Sequence, residues 1–359
     1  MSMFAFEPNP DPVPAEERAR QLIDPGFGRV FTDHMAIAQY DEGTGWHDAK
    51  ITTRQALTMD PASSVLHYAQ EIFEGLKAYP RPNGGAALFR PDANARRFNA
   101  SARRMAMPDL PEELFLESVR ALVRADIGWM PQREDGALYL RPFMFASEVF
   151  LGVKPAARYL YIVMASAVGS YFKGAPSVSL WVTREYTRAG PGGTGAAKCG
   201  GNYATSLIAQ AEAIRNGCDQ VVFLDAVERR WVEELGGMNI FFVFEDGSLA
   251  TPPLGGTILA GITRDSIITL ARDMGLQVRE EPYAIEQWHA DAESGRLTEA
   301  FACGTAAVVT AIGSVKGAEG EFAIGGQSVG PVTQRIREKL VAIQRGTAPD
   351  PHQWVEEIA

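Results

Sequence analysis

The sequence predicts an α/β (α+β) chain of two domains, each mixing helices and strands, without a doubly wound sheet. Length is the first ground: 359 residues exceed a typical single domain and suit two. The order of elements is the second, because strand-like and helical runs intermingle without a sustained strand–helix–strand alternation. The third is a break at residues 167–177, where Gly169, Gly174 and Pro176 interrupt the pattern. The bounds drawn from these signals are an N-terminal arm over 1–28, a smaller N-terminal domain over 29–168, a connecting loop over 169–177 and a larger domain over 178–359.

Residues 1–28 are rich in proline and charge and read as an extended arm with one short helix over 15–23. Strand composition follows at 34–40 and 86–89, and a helix over 90–105. Leu114, Val119, Leu122 and Val123 recur at helical spacing within 112–126, and Gly128 marks the end. Tyr, Leu, Ile and Val content marks strands at 137–145 and 158–165. Beyond the break, 178–183 reads as a strand, 190–201 as a Gly-rich loop, and 203–215 as a helix capped by Gly217. Strands are expected at 221–225 and 240–244, the second closed by the turn Glu245-Asp246-Gly247. Ile267, Ile268, Ala271 and Met274 give an amphipathic helix over 263–274 that stops at Gly275. No internal repeat or low-complexity tract appears.

Composition narrows the function classes. With 46% hydrophobic and 22% charged residues, the chain has the means to build ordinary globular cores. A net charge of −10 argues against nucleic acid or an anionic membrane surface as partner. It does not bear on a small substrate, because local charge in a cleft can oppose the global sign. Cys199, Cys218 and Cys303 are odd in number and lack CxxC spacing, so they read as reduced thiols of a cytoplasmic protein. The first residues lack the basic and apolar pattern of a signal peptide. No run approaches the roughly 20 apolar residues that span a bilayer.

Among the motifs, several familiar ones are absent. Gly192-Gly193-Thr194-Gly195-Ala196-Ala197-Lys198 fails the P-loop, since Ala197 stands for the Gly and Cys199 for the Ser/Thr. It fails GxGxxG as well. Neither HExxH nor GxSxG occurs, and the histidines at 34, 47, 67, 289 and 352 are scattered, so no metal is expected. Lys198 differs from the other lysines by its small neighbours, Gly195 to Ala197 and Cys199 to Gly201. Such neighbours let a flat ligand reach the backbone, and a lysine among apolar groups loses proton affinity and becomes an amine nucleophile. A surface loop with an incidental lysine fits the same residues. At 259–264, Ile262 and Thr263 open a helix whose N–H groups suit an anion, or form an ordinary capped start. Gly304-Thr305-Ala306 is either an anion-facing turn or a plain strand end. Glu233 and Glu234, ahead of Gly236-Gly237, are either ligands or solvated turn residues.

In order along the chain, these segments resemble the branched-chain aminotransferases of the class IV, fold type IV pyridoxal-phosphate-dependent enzymes. The resemblance runs from about Phe31 to Ile343. It rests on His67-Tyr68, Phe73-Glu74-Gly75, Tyr139-Leu140-Arg141-Pro142, Lys198 with Gly201-Asn202-Tyr203, Glu234 with Asn239, Gly261-Ile262-Thr263-Arg264-Asp265 and Gly304-Thr305-Ala306. It implies a smaller N-terminal and a larger C-terminal domain, with pyridoxal 5'-phosphate at their interface. It further implies that Lys198 carries the cofactor and shuttles the proton, that Glu234 pairs with the pyridine nitrogen, and that Tyr203 donates to the phenolic oxygen. Glu233 does not fit the spacing to Asn239. Arg97 looks like a phosphate ligand, with Ile262, Thr263 and Thr305 beside it; the adjacent Arg96 is the alternative. The backbone of Thr305 and Ala306 would receive the substrate α-carboxylate.

A carboxylate beside the ring nitrogen keeps it protonated, which the chemistry requires. The resemblance places Phe73, Tyr139 and Tyr171 around the substrate side chain, with Tyr68 supplied by a second subunit of a homodimer. Arg141 would meet the distal carboxylate of glutamate. The implied reaction moves the amino group of leucine, isoleucine or valine to 2-oxoglutarate in two half-reactions. Some eukaryotic members carry a CxxC pair where this chain has Ala307 and Thr310, so no such thiol switch is expected. Rival readings are a D-amino acid aminotransferase or an aminodeoxychorismate lyase of the same fold, and a non-catalytic binder of a phosphate metabolite.

Overall fold

The structure, a computed structural model, describes residues 3–82, 84–171 and 177–358. It divides into two compact units. The first holds Met1–Tyr171, Ala197–Gly200 and Ile343–Ala359; the second holds Phe172–Ala196 and Gly201–Ala342. Most of the loop expected at 169–177 lies outside the described residues. Both units mix helices with a large sheet, as the sequence predicts.

The first unit is built on a nine-stranded sheet. Its centre is the antiparallel set Gly45–Thr53, Val30–Asp41, Arg158–Val168, Ala137–Ala146, Leu76–Pro80 and Ala86–Phe89, in that spatial order. Glu71–Phe73 pairs with Ala137–Ala146 off this path. Alternation within the strands sends one set of side chains toward two helices, Pro91–Arg104 and Glu112–Ala125. Phe98, Phe115, Leu122, Leu138 and Tyr161 meet there in one buried core. The ring of Phe98 lies 5.5 Å from Phe115 and 5.6 Å from Tyr161. Pro91 at the first turn presets the helix it opens, and Asp92 follows it.

The last strand, Val355–Ile358, runs antiparallel to Ala86–Phe89 and closes that edge. Residues 343–359 therefore group with the first unit, not with the later domain of the sequence reading. Residues 197–200 do the same, because Ala197 and Cys199 are buried in the first core. Both departures have one cause. Contacts between residues distant in sequence outweigh chain continuity.

The second unit carries another nine-stranded sheet, in the order Val232–Leu235, Gln220–Leu224, Ser177–Thr183, Val308–Gly317, Leu297–Gly304, Asn239–Phe244, Leu249–Thr251 and Val278–Glu280. Parallel and antiparallel pairs coexist in it. Trp288, from the helix Ile285–Ser294, is buried against Phe242 at 4.9 Å between ring centroids. The helix Ile262–Asp273 buries Ile267, Leu270 and Ala271. A further helix, Gly200–Arg215, ends near Gly217, whose φ of +70° is the left-handed value expected of a C-terminal cap. No helix among the described residues is long and apolar enough to cross a membrane.

Candidate functional site

In the first unit the site begins at Lys198. Its neighbours Ala197 and Cys199 are packed into the core, and its own Nζ lies 4.7 Å from the centre of the Phe73 ring. The Lys198 N–H donates to Ser101 Oγ at 2.9 Å. Its carbonyl accepts the Phe73 N–H at 2.9 Å. Burial, and after it the positive charge of Arg97, pulls the Lys198 ammonium down to about 8, against the opposing pull of Glu74. A substantial share of neutral amine is thus present just above neutral pH.

Arg97 sits on the inner face of its helix. Its Nε and Nη2 donate to the two oxygens of Glu74 at 2.7 and 2.8 Å, while Asn94 Nδ2 reaches the same carboxylate at 2.7 Å. Glu74 has no solvent exposure. Although burial opposes it, the Arg97 guanidinium holds the Glu74 carboxyl below its usual range. Arg96 is turned outward onto Asp92, at 2.7 Å. Helical spacing explains the split: adjacent residues point about 100° apart, so only one of the two can face Lys198.

Aromatic rings and one guanidinium continue the cluster. Arg141 lies over Phe73 at 4.9 Å and over Tyr139 at 5.4 Å, and its Nη2 donates to the Tyr139 hydroxyl at 3.1 Å. Arg141 Nε is buried without a partner among the described residues. Gly75 lets the Tyr139 hydroxyl approach closely, since a Cβ at that position would displace it. Tyr171 joins through Phe27, whose ring makes edge contacts with Tyr171 at 4.9 Å and Tyr139 at 5.0 Å. Tyr68 is not tied to these rings by any ring contact among the described residues. It is 40% exposed, on the short helix Val65–Tyr68, and its hydroxyl donates to the Leu151 carbonyl.

The second unit holds the remaining candidates. Glu234 lies on the strand Val232–Leu235 and is 2% exposed. It accepts the Leu259 N–H at 3.1 Å and pairs with the buried Arg188 at 3.1 Å. Asn239 Nδ2 donates to the Leu259 carbonyl at 3.1 Å, and a Cβ at Gly261 would collide with Asn239 Oδ1. Gly261 is followed by Ile262 and the buried Thr263, which open the Ile262–Asp273 helix. Glu233 points elsewhere, accepting from the Thr257 hydroxyl at 2.5 Å. Tyr203 reaches the Gly236-Gly237 bend; a Cβ on Gly237 would lie 3.6 Å from its ring. Gly304, where Thr305 and Ala306 begin their turn, backs onto Met238 and the Gly237 carbonyl. Tyr203 and the Gly304 turn thus both lie beside Gly237, while Glu234 and Asn239 both bond Leu259, two residues ahead of Gly261.

Several groups that shape the site escaped the sequence reading. Glu74 and Asn94 orient Arg97, Arg188 balances Glu234, and Phe27 bridges Tyr139 and Tyr171. Phe27 had a legible signal. It stands between Gly26 and Gly28, whose φ values of +65° and +69° make a turn that presents one ring. Arg188 had none, and Glu74, though part of the Phe73-Glu74-Gly75 segment, gave no sign of its pairing with Arg97, since each is defined by a partner remote in sequence.

Comparison with known proteins follows the same residues. Residues 71–315 match the family model described as amino-transferase class IV. A probable branched-chain-amino-acid aminotransferase of Streptomyces coelicolor is 54% identical over 356 residues, covering 99% of this chain and 98% of the relative. The crystal structure of the Escherichia coli branched-chain amino acid aminotransferase superposes with a TM-score of 0.74 at 30% identity, covering 90% of this chain and 99% of that one. The branched-chain amino acid aminotransferase from Thermobaculum terrenum, in its PLP-bearing holo form, gives a TM-score of 0.73 at 25% identity, covering 90% and 98%.

Proposed function

This chain belongs to the class IV aminotransferases, in their branched-chain group, and we propose that it moves the amino group of leucine, isoleucine or valine to 2-oxoglutarate. Pyridoxal 5'-phosphate is the cofactor of this family. The donor set fits that group in kind. Lys198 offers an amine for an aldehyde, Arg97 and the Ile262–Thr263 helix start suit a phosphate, and the buried Glu234 suits a pyridine nitrogen. Tyr203 suits a phenolic oxygen. Thr305 completes the phosphate set.

Bound, the cofactor supplies an electron sink for the charge left when the substrate Cα loses its proton. Lys198 Nζ, neutral above about 8, takes that proton as general base and returns it as general acid. Glu234, fixed by the Arg188 guanidinium at 3.1 Å, keeps a proton on the ring nitrogen. Glu74 holds Arg97 in one plane through paired bonds, so its charge stays directed without rearrangement. The Thr305 and Ala306 N–H groups receive the α-carboxylate. Phe73, Tyr139 and Tyr171 enclose an apolar side chain, while Arg141 Nε, without a partner among the described residues, suits the distal carboxylate of 2-oxoglutarate or glutamate.

Tyr68 has its role across a homodimer interface. Supporting that reading, the first unit exposes Leu66 by 58%, Leu151 by 58% and Val153 by 87%, an apolar surface suited to a second copy. Cys199, Cys218 and Cys303 are buried free thiols, which fits a reducing cytoplasm.

The half-buried Lys198, held between the core residues Ala197 and Cys199 with its Nζ over the Phe73 ring and its proton affinity lowered, is the observation that carries the reading. Its test is the near-UV/visible spectrum of the cofactor-loaded protein. L-leucine should abolish the long-wavelength band and 2-oxoglutarate should restore it. A band that answers D-alanine and ignores L-leucine would move the function to the D-amino acid enzyme. A protein that never acquires the band with pyridoxal 5'-phosphate would overturn the role of Lys198.

A further inference from the structure

The short strand Glu71–Phe73 grips the lysine segment at both ends. The Phe73 N–H donates to the Lys198 carbonyl at 2.9 Å. Two residues earlier on that strand, the Glu71 carboxylate accepts the Gly200 N–H. From the helix Pro91–Arg104, Ser101 Oγ accepts the Lys198 N–H at 2.9 Å. The backbone on each side of Lys198 is therefore tied to the first unit, while Ala197 and Cys199 anchor it in the core. A Cβ at Gly200 would push the Glu71 carboxylate out of its place, so glycine leaves room for this contact.

We propose that Glu71 is a positioning residue for Lys198, fixing the lysine segment through the Gly200 N–H so that Nζ stays desolvated against Phe73. The inference rests on the role assigned to Lys198 above. Spacing supplies the physical reason. The Phe73 N–H and the Glu71 carboxylate, two residues apart on one strand, meet the Lys198 carbonyl and the Gly200 N–H, likewise two residues apart. Glu71 is partly buried. Burial raises its carboxyl, and the Gly200 N–H and then the Arg141 charge pull it back. The oxygen thus serves as an acceptor in either protonation state. A glutamine supplies an equivalent oxygen, and an alanine supplies none.

The test uses the full-length protein with Glu71→Ala, Glu71→Gln and Ser101→Ala. In cofactor-free protein, the rate of Lys198 acetylation by acetic anhydride is followed by peptide mass against pH. Borohydride trapping of pyridoxal 5'-phosphate on the wild type identifies the modified lysine, and kcat and KM for L-leucine are measured on loaded enzyme. The wild-type acetylation midpoint is expected near 8. Glu71→Ala should move it upward toward an ordinary solvated lysine and lower kcat about 10- to 100-fold with little change in KM. Glu71→Gln should restore both midpoint and kcat. Ser101→Ala, which removes the tie on the other side, should shift the midpoint in the same direction and stands in if Glu71→Ala does not fold. An unshifted midpoint in Glu71→Ala and Ser101→Ala overturns the inference while leaving the role of Lys198 intact. So does a Glu71→Gln protein as damaged as Glu71→Ala. Trapping at a lysine other than Lys198 in the wild type sinks the role of Lys198, and the inference with it.

Discussion

At the residue scale, the ion pair of Arg97 with the fully buried Glu74 sets charge inside the first unit. Glu74 satisfies Arg97 and Asn94 and itself accepts the Gly75 N–H at 3.1 Å. Glu74→Ala leaves the Arg97 guanidinium buried without its carboxylate. Chemical denaturation should register a loss of about 3–5 kcal/mol, and phosphate affinity should fall as the guanidinium loses its orientation. The sign of the pH effect follows from the direction of the shift. The folded-state affinity of Glu74 for a proton is lowered, so its stabilising contribution is present above the unfolded-state value. It is lost as the pH falls through the folded-state value, and Glu74→Ala should narrow its gap from wild type under acid conditions. Gly75 offers a milder test. Gly75→Ala drives a methyl into the Tyr139 hydroxyl, so KM for L-leucine should rise while stability falls by about 1–3 kcal/mol, or about 2–12 °C in the melting temperature.

At the element scale, the C-terminal strand has consequences out of proportion to its length. Val355–Ile358 covers the edge of Ala86–Phe89. Just before it, the Trp354 carbonyl accepts the Arg90 N–H at 2.7 Å, and the Trp354 ring meets Phe89 at 5.7 Å. Arg120, from the Glu112–Ala125 helix, donates to Glu356 at 2.5 Å. Removal of residues 354–359 uncovers a hydrogen-bonding edge beside buried alanines, the arrangement that templates association. Each kcal/mol lost lowers the midpoint by about 2–4 °C in a unit of this size. A truncated protein should therefore melt several degrees lower and form soluble aggregates on gel filtration. Retention of the wild-type midpoint would show that the edge is protected by something other than this strand.

For the whole molecule, assembly is the open variable with a direct experiment. Leu66, Leu151 and Val153 are exposed on the first unit, and Tyr68 stands beside them through its bond to the Leu151 carbonyl. A Val153→Glu change places a charge within that apolar surface without touching either core. Sedimentation should show a dimer for the wild type and a shift toward monomer for Val153→Glu. Loss of L-leucine turnover should accompany the shift if Tyr68 serves a second copy. A monomeric wild type with full turnover would remove Tyr68 from the substrate site.

Local chemistry made a good part of this protein readable from sequence alone. Leu114, Val119, Leu122 and Val123 announced a helix, observed as Glu112–Ala125, because 3.6-residue spacing is a property of neighbours in the chain. Gly217, Gly247 and Gly275 marked turns, and all three have the positive φ that explains their use. The order of the Lys198, Glu234, Thr263 and Thr305 segments pointed to the family. The sequence alone did not yield strands such as Leu297–Gly304 and Val308–Gly317, nor the return of Val355–Ile358 to the first sheet. Nor did it show that residues 197–200 pack with the first unit, that Arg97 faces inward on Glu74, or that Glu71 meets Gly200. Each of these depends on a partner far along the chain. Periodicity, caps and turn residues act over a few residues, whereas strand pairing and buried charge compensation depend on which distant groups the fold brings within hydrogen-bonding distance.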